Sequence, residues 1–221
     1  GSFDRLVIVP DGPLWYLPFE LLPVDGEASE TLGDKFSILY AATPGQAIEP
    51  ATAADANQTV GFIASRFFDP RDLKVNQSIA DSIVEAVDKS VMMPTEKPTT
   101  SLFVGNEIGN LLVAVPTAIN PSDPFSFRMI PYDQTKAGAT LGGWMRFPSM
   151  VPHSVVLAGF RSGAEAGKLG DGRELFMTLC ALRIAGVRDV LVSRWAVGGE
   201  STAILLREFA QELPFTGMRA A

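Results

Sequence analysis

The hydrophobic pattern is clearest in the last third of the chain. Val155–Ala158 is a continuous apolar run, short enough for a strand buried on both faces. A glycine-dotted loop follows. Helical spacing then runs over about 173–185, with Leu175, Leu179 and Leu182 on one side and Ala185-Gly186 as the stop. Asp189–Ser193 ("DVLVS") reads as another strand. A helix over about 200–212 follows, with Ile204, Leu205, Phe209 and Leu213 on one side. This β-α-β-α order with short links predicts parallel strands joined by helical crossovers.

Upstream the pattern is more broken. Leu6–Val9 reads as a strand, Pro10-Asp11-Gly12-Pro13 as a turn, and Leu14–Leu17 as the return strand of a hairpin. Pro18 opens a helical turn over Phe19–Leu22. Phe36–Ala41 and Val60–Ser65 are further strands, and Ala42–Gln58 is a short helix or a surface loop. Over Ser78–Lys89, the positions of Ile79, Ile83, Ala86 and Val87 predict an amphipathic helix capped by Ser78. Leu102–Val104 is a short strand and Leu111–Val115 a fully apolar one. The gap between them is too short for a parallel crossover, so they form a hairpin or are not neighbours. Residues 116–153 read as a long elaborated loop around one short helical piece.

Composition narrows the function classes. The chain has 221 residues, 47% hydrophobic and 19% charged, which suits a single folded domain over residues 1–221. No apolar run approaches the ~20 residues of a membrane-spanning helix. The net charge is −7, with 10 Lys/Arg against 18 Asp/Glu in residues 1–150 and 8 against 7 in the remainder. An acidic chain without a basic run argues against nucleic acid as a partner. Cys180 is the only cysteine and His153 the only histidine. An intramolecular disulfide and a four-ligand Cys/His zinc site are therefore impossible, and cysteine usage favours a cytoplasmic setting. Any Cys-His or Ser-His chemistry has to use His153.

Three stretches carry a family resemblance. "LVIVPDGPLWYLPFELLP" resembles the hairpin that opens CHAT domains, "SVVLAGFRSG" resembles their "hhhLSACxTG", and residues 174–213, with Trp195 and Val197, resemble their closing helix–strand–helix segment. The resemblance runs from residue 5 to residue 213 and is most specific at the two ends. It implies an α/β fold, a caspase-like three-layer sandwich with a central mostly parallel sheet and an N-terminal β-hairpin. It also implies that the chain is the C-terminal part of a longer protein. Active members of the family are cysteine peptidases, in which a thiolate attacks and an imidazole activates it. Carried across, the histidine of their "HxATHG" word falls on Ala118 and the cysteine falls on Phe160. Neither side chain can do that chemistry. The implied reading is an inactive, pseudopeptidase-type domain that recognises a protein or peptide, with no cofactor and no metal. A purely structural domain, or a hydrolase using another constellation such as Glu165 with Asp171, are the alternatives.

Other residues have ordinary roles beside functional ones. His153 and Cys180 are the only possible substitute dyad, but His153 precedes its strand and Cys180 lies mid-helix, where a free cysteine is ordinarily a small hydrophobe. Ser162 beside Arg161 lacks a base, because arginine stays protonated. Arg161 and Arg194 each follow a strand and are binding candidates for an acidic peptide; salt bridges to Glu165, Asp171 or Glu200 are the ordinary expectation. Trp195 is a third binding candidate, with core packing beside Val192 and Val197 expected. "GDGRELF" lacks the Lys-Ser/Thr of a phosphate-binding loop.

Overall fold

A computed structural model of the chain describes residues 3–24, 30–48, 58–93, 108–120, 122–126, 128, 140–146, 152–161, 170–195 and 197–216. Its centre is a five-stranded sheet. The strands are β3 (Thr59–Ala64), β4 (Ser90–Met92), β5 (Ile108–Ala114), β7 (Ser154–Leu157) and β9 (Asp189–Val192), in the order β4-β3-β5-β7-β9. Every pairing in it is parallel. Two further parallel pairs flank it: β1 (Arg5–Ile8) with β2 (Ser37–Tyr40), and the short β6 (Thr117–Ala118) with β8 (Phe160–Arg161).

The period of two along the strands divides the core into two halves. Leu111, Val113, Val155 and Leu157 point into one cluster, closed by Leu175, Leu182 and Ala185 of α5 (Arg173–Ala185). Leu112, Ala114, Val156 and Ala158 point into the other, closed by α3 (Leu73–Glu85) and α6 (Gly199–Thr216). Helices on both faces of a parallel sheet make the caspase-like three-layer sandwich. The described residues also include three short helices, α1 (Leu32–Lys35), α2 (Pro44–Ala47) and α4 (Leu141–Trp144).

The strands and helices expected in the last third are where the pattern put them. The expected N-terminal β-hairpin is not formed. β1 pairs with β2 in parallel, and Gly12–Tyr16 is a 3-10 helix. Gly12 takes a positive φ of 53° and Pro13 occupies the first turn, which suits a tight helix and not an extended return strand. The turn also buries both Trp15 and Tyr16, whereas a strand would send neighbours to opposite faces.

Further corrections concern the helices. α3 starts five residues before Ser78, capped by Asp72, whose carboxylate accepts from the backbone N–H of Lys74 (2.8 Å) and Val75 (3.2 Å). On α6 the buried stripe is Ala203, Leu206, Ala210 and Leu213, while Ile204 and Leu205 are exposed. Leu206 and Leu213 carry the apolar contact with the two alanines beside them, and Phe209 packs partly against the same core. The strand beside β3 on one side is β4, in a stretch to which the sequence pattern assigns no element; it is reached through α3, a crossover of ordinary length. The strand expected at Leu102–Val104 lies outside the described residues. Within 116–153 the described residues form β6, a 3-10 turn (Pro124–Ser126) and α4.

Candidate functional site

The carboxyl ends of β5 and β7, where open α/β sheets usually carry their sites, meet through backbone. Past β5 the chain reaches β6, and past β7 it reaches β8. The register sets Thr117 opposite Phe160 and Ala118 opposite Arg161. The backbone N–H of Thr117 donates to Gly159 O at 2.9 Å. The two positions singled out by the family resemblance, Ala118 and Phe160, are therefore on adjoining strands, one register step apart. The side chains of Ala118 and Arg161 lie outside the described residues.

Phe160 is 1% exposed and belongs to the α5-side core, with Leu141, Trp144 and Leu157 in the same cluster. The Ser193 hydroxyl lies 2.9 Å from Ala158 O and 2.8 Å from Phe160 O, sharing its one proton between them. The strand tip is thus held from the backbone side while the ring is packed into the core.

The substitute dyad is not brought together. His153 is exposed before β7, with Nδ1 3.2 Å from Gln58 Nε2. Cys180 packs against the α5-side core, and burial pushes its thiol above the ordinary cysteine range, which lowers its thiolate fraction. Glu165 and Ser162 lie outside the described residues, so the Glu165–Asp171 pair does too. Among the described residues no cluster of His, Cys, Asp or Glu could hold a metal, and no helix is long and apolar enough to cross a membrane.

Among the described residues Arg194 pairs with Glu20, an acid the sequence does not point to. Its Nη1 donates to Glu20 Oε1 at 2.7 Å, and its guanidinium lies 4.2 Å from the Tyr40 ring centroid. The Tyr40 hydroxyl donates to Glu20 Oε2 at 2.6 Å. Burial alone would raise the Glu20 carboxyl; hydrogen bonds from Tyr40 and Arg194 reverse this and hold it below the ordinary carboxylate range. This cluster fastens the N-terminal segment to the tip of β9. Nothing in the sequence flags Glu20 or Tyr40, because the partners stand far apart in the chain. Trp195 is not core: it is 46% exposed, as is Val197 at 45%, because the sheet ends at Val192 and the chain has already left it.

Arg194 and Trp195 stand at one end of a cleft of about 740 Å³ that runs between β9 and β2, floored in part by Leu175 and Leu179 of α5. That volume is in the range of ligand-binding clefts.

The family model for the CHAT domain matches residues 138–221. That stretch contains α4, β7, β8, α5, β9 and α6, and thus the Phe160 strand tip and the β9 wall of the cleft. No curated protein matches the chain.

Proposed function

With the CHAT-domain match over residues 138–221 as premise, we propose that this is a catalytically inactive caspase-type domain whose role is recognition of a protein or peptide. The observation that carries the reading is the buried Phe160 ring at the strand tip where the family resemblance puts a nucleophile. A benzyl group has no electron pair to attack a carbonyl, and a ring 1% exposed leaves no opening for a substrate to reach that atom. The only imidazole sits at the opposite end of β7 and the only thiol is poorly ionised. The cleft beside β9, with the exposed Trp195 at its end, supplies a surface for recognition.

The test uses the chain as it stands against a panel of fluorogenic peptides, with iodoacetamide labelling of Cys180 in parallel. No cleavage above a heat-treated control is expected, whatever the labelling state. Cleavage that disappears when Cys180 is labelled would overturn the reading.

A further inference from the structure

The two walls of the cleft are both open strand edges. In a parallel ladder, alternate residues turn their N–H and C=O to the same side. On β9, Asp189 N donates to His153 O and Ser193 N to Leu157 O, so Asp189, Leu191 and Ser193 serve β7. Val190 and Val192 then present their backbone groups outward, into the cleft. On β2, Ser37 N donates to Asp4 O and Ala41 N to Ile8 O, so Ser37, Leu39 and Ala41 serve β1. Ile38 and Tyr40 present theirs to the same cleft from the other side. None of these four outward positions has a backbone partner among the described residues. Neither edge carries the lysine or proline that usually blocks such a surface.

We propose that the slot between β9 and β2 receives an extended peptide segment of a partner protein as an added strand, with a carboxylate of that segment at Arg188. The proposal rests on the recognition reading and names its ligand class. A slot open on both walls selects a strand whose two edges are both free. That excludes an edge strand of a folded sheet, a second copy of this domain included, and fits an extended peptide, which gains main-chain hydrogen bonds on both sides. Charge gives the chemistry. The lining contains Arg183, Arg188 and Arg194 against Glu20 and Asp189, a balance of +1 in a chain of net −7. Arg194 is taken up by Glu20, and Arg183 donates to Arg188 O at 2.7 Å. Arg188 is exposed at the start of β9, and its guanidinium has no partner among the described residues. Apolar side chains of the peptide would lie over Val190, Val192 and Leu179.

The probe is a library of fluorescein-labelled nonapeptides with Glu at one end, Val, Ile or Leu at alternate positions and Ser, Thr or Lys between. Binding to the full chain is read by anisotropy. Selected peptides are expected to slow amide exchange at Val190, Val192, Ile38 and Tyr40. Val192→Pro removes an N–H that the free fold does not use, and is expected to weaken binding at least about tenfold. Arg188→Glu is expected to weaken the Glu peptide about fivefold or more and to leave its Gln analogue unchanged. Should Val192→Pro fail to fold, peptides N-methylated at alternate amides replace it, and they must not bind. Peptides that bind equally well to Val192→Pro, or when N-methylated in either phase, would sink the slot and leave recognition standing. No binder anywhere in the library would sink both. Self-association in sedimentation that Val192→Pro abolishes would assign the edge to a second copy and overturn the peptide.

Discussion

At the scale of single residues, Gly159 governs how closely the two strand tips approach. A Cβ there would sit 1.9 Å from Val115 O and 2.4 Å from its carbonyl carbon. Only a hydrogen fits, and the gap is narrow enough for Thr117 N to reach Gly159 O. The resembling family word carries alanine at this place, so the glycine and the buried Phe160 belong to one departure: the tips close together and the ring fills what lies behind them. Gly159→Ala forces backbone against backbone, which a side-chain rotamer cannot relieve. It is expected to cost roughly 3 kcal/mol, the upper part of the range for overpacking, read as a lowered urea midpoint with unchanged slope. A change within about 0.5 kcal/mol would show that the tips can part freely. The place of Phe160 at a strand tip is legible in the sequence from the apolar run that precedes it. Its burial is not, because a sequence gives the residue at a strand tip but not whether a long loop leaves room beside it.

At the scale of elements, local chemistry decided what could be read. The C-terminal end of α5 stands where the sequence puts it because Gly186, at φ 109°, is a stop few other residues can make. The start of α3 is illegible because Asp72, six residues before Ser78, caps it, and Leu73 and Val75 in the first turn are exposed and carry no pattern. The stripe on α6 is ambiguous in the sequence because apolar residues occupy both faces, Ile204 and Leu205 outward and Leu206 and Leu213 inward. The attachment of β2 to the β9 tip was wholly illegible: it depends on Glu20, Tyr40 and Arg194, which no spacing relates. That attachment makes a prediction. Arg194→Ala removes a charge-assisted hydrogen bond and leaves Glu20 facing only Tyr40, at a cost of about 1–2 kcal/mol. Amide exchange of β1 and β2 should quicken more than that of β5 and β7. The sign with pH follows from the depressed Glu20 carboxyl: its contribution is present above the ordinary value of 4.5 and is lost as pH falls through the lower folded value. The difference between wild type and Arg194→Ala should therefore shrink in acid. Equal quickening in all four strands would mean that the cluster is not a local staple.

At the scale of the whole molecule, the parallel crossovers follow from the alternation of apolar strands and helices, while the seating of the N-terminal segment follows from two long-range attachments, Glu20 to Arg194 and Tyr16 to the start of α5. The 3-10 turn carrying Trp15 and Tyr16 packs on the start of α5. Gly172 there, at φ 73°, comes so near Gly12 that a Cβ would lie 2.1 Å from its carbonyl oxygen. The Tyr16 hydroxyl donates to Glu174 Oε1 and accepts from the backbone N–H of Gly172 at 3.2 Å. Glu174 is 1% exposed, so its carboxyl depends on partners inside the protein. Burial first, and then the hydrogen bond to Glu174, push the Tyr16 phenol far above its ordinary value of 10.0. The sign is the reverse of that for Glu20. With the folded value raised, the contribution is complete below about pH 10 and is lost as pH rises toward the folded value, because the unfolded chain gives up that proton first. Tyr16→Phe deletes both the hydrogen bond and the titration. Near pH 8 it should cost about 1–3 kcal/mol. Between about pH 10 and pH 11 the wild type should lose stability that the variant keeps, so the gap between their urea unfolding free energies narrows. Tyr40 titrates in both chains and cancels in the comparison. A gap that stays constant from about pH 8 to pH 11 would mean that Tyr16 ionises as freely in the folded protein as in the unfolded one, and that the N-terminal segment is held to the start of α5 by the Trp15 and Gly172 packing alone.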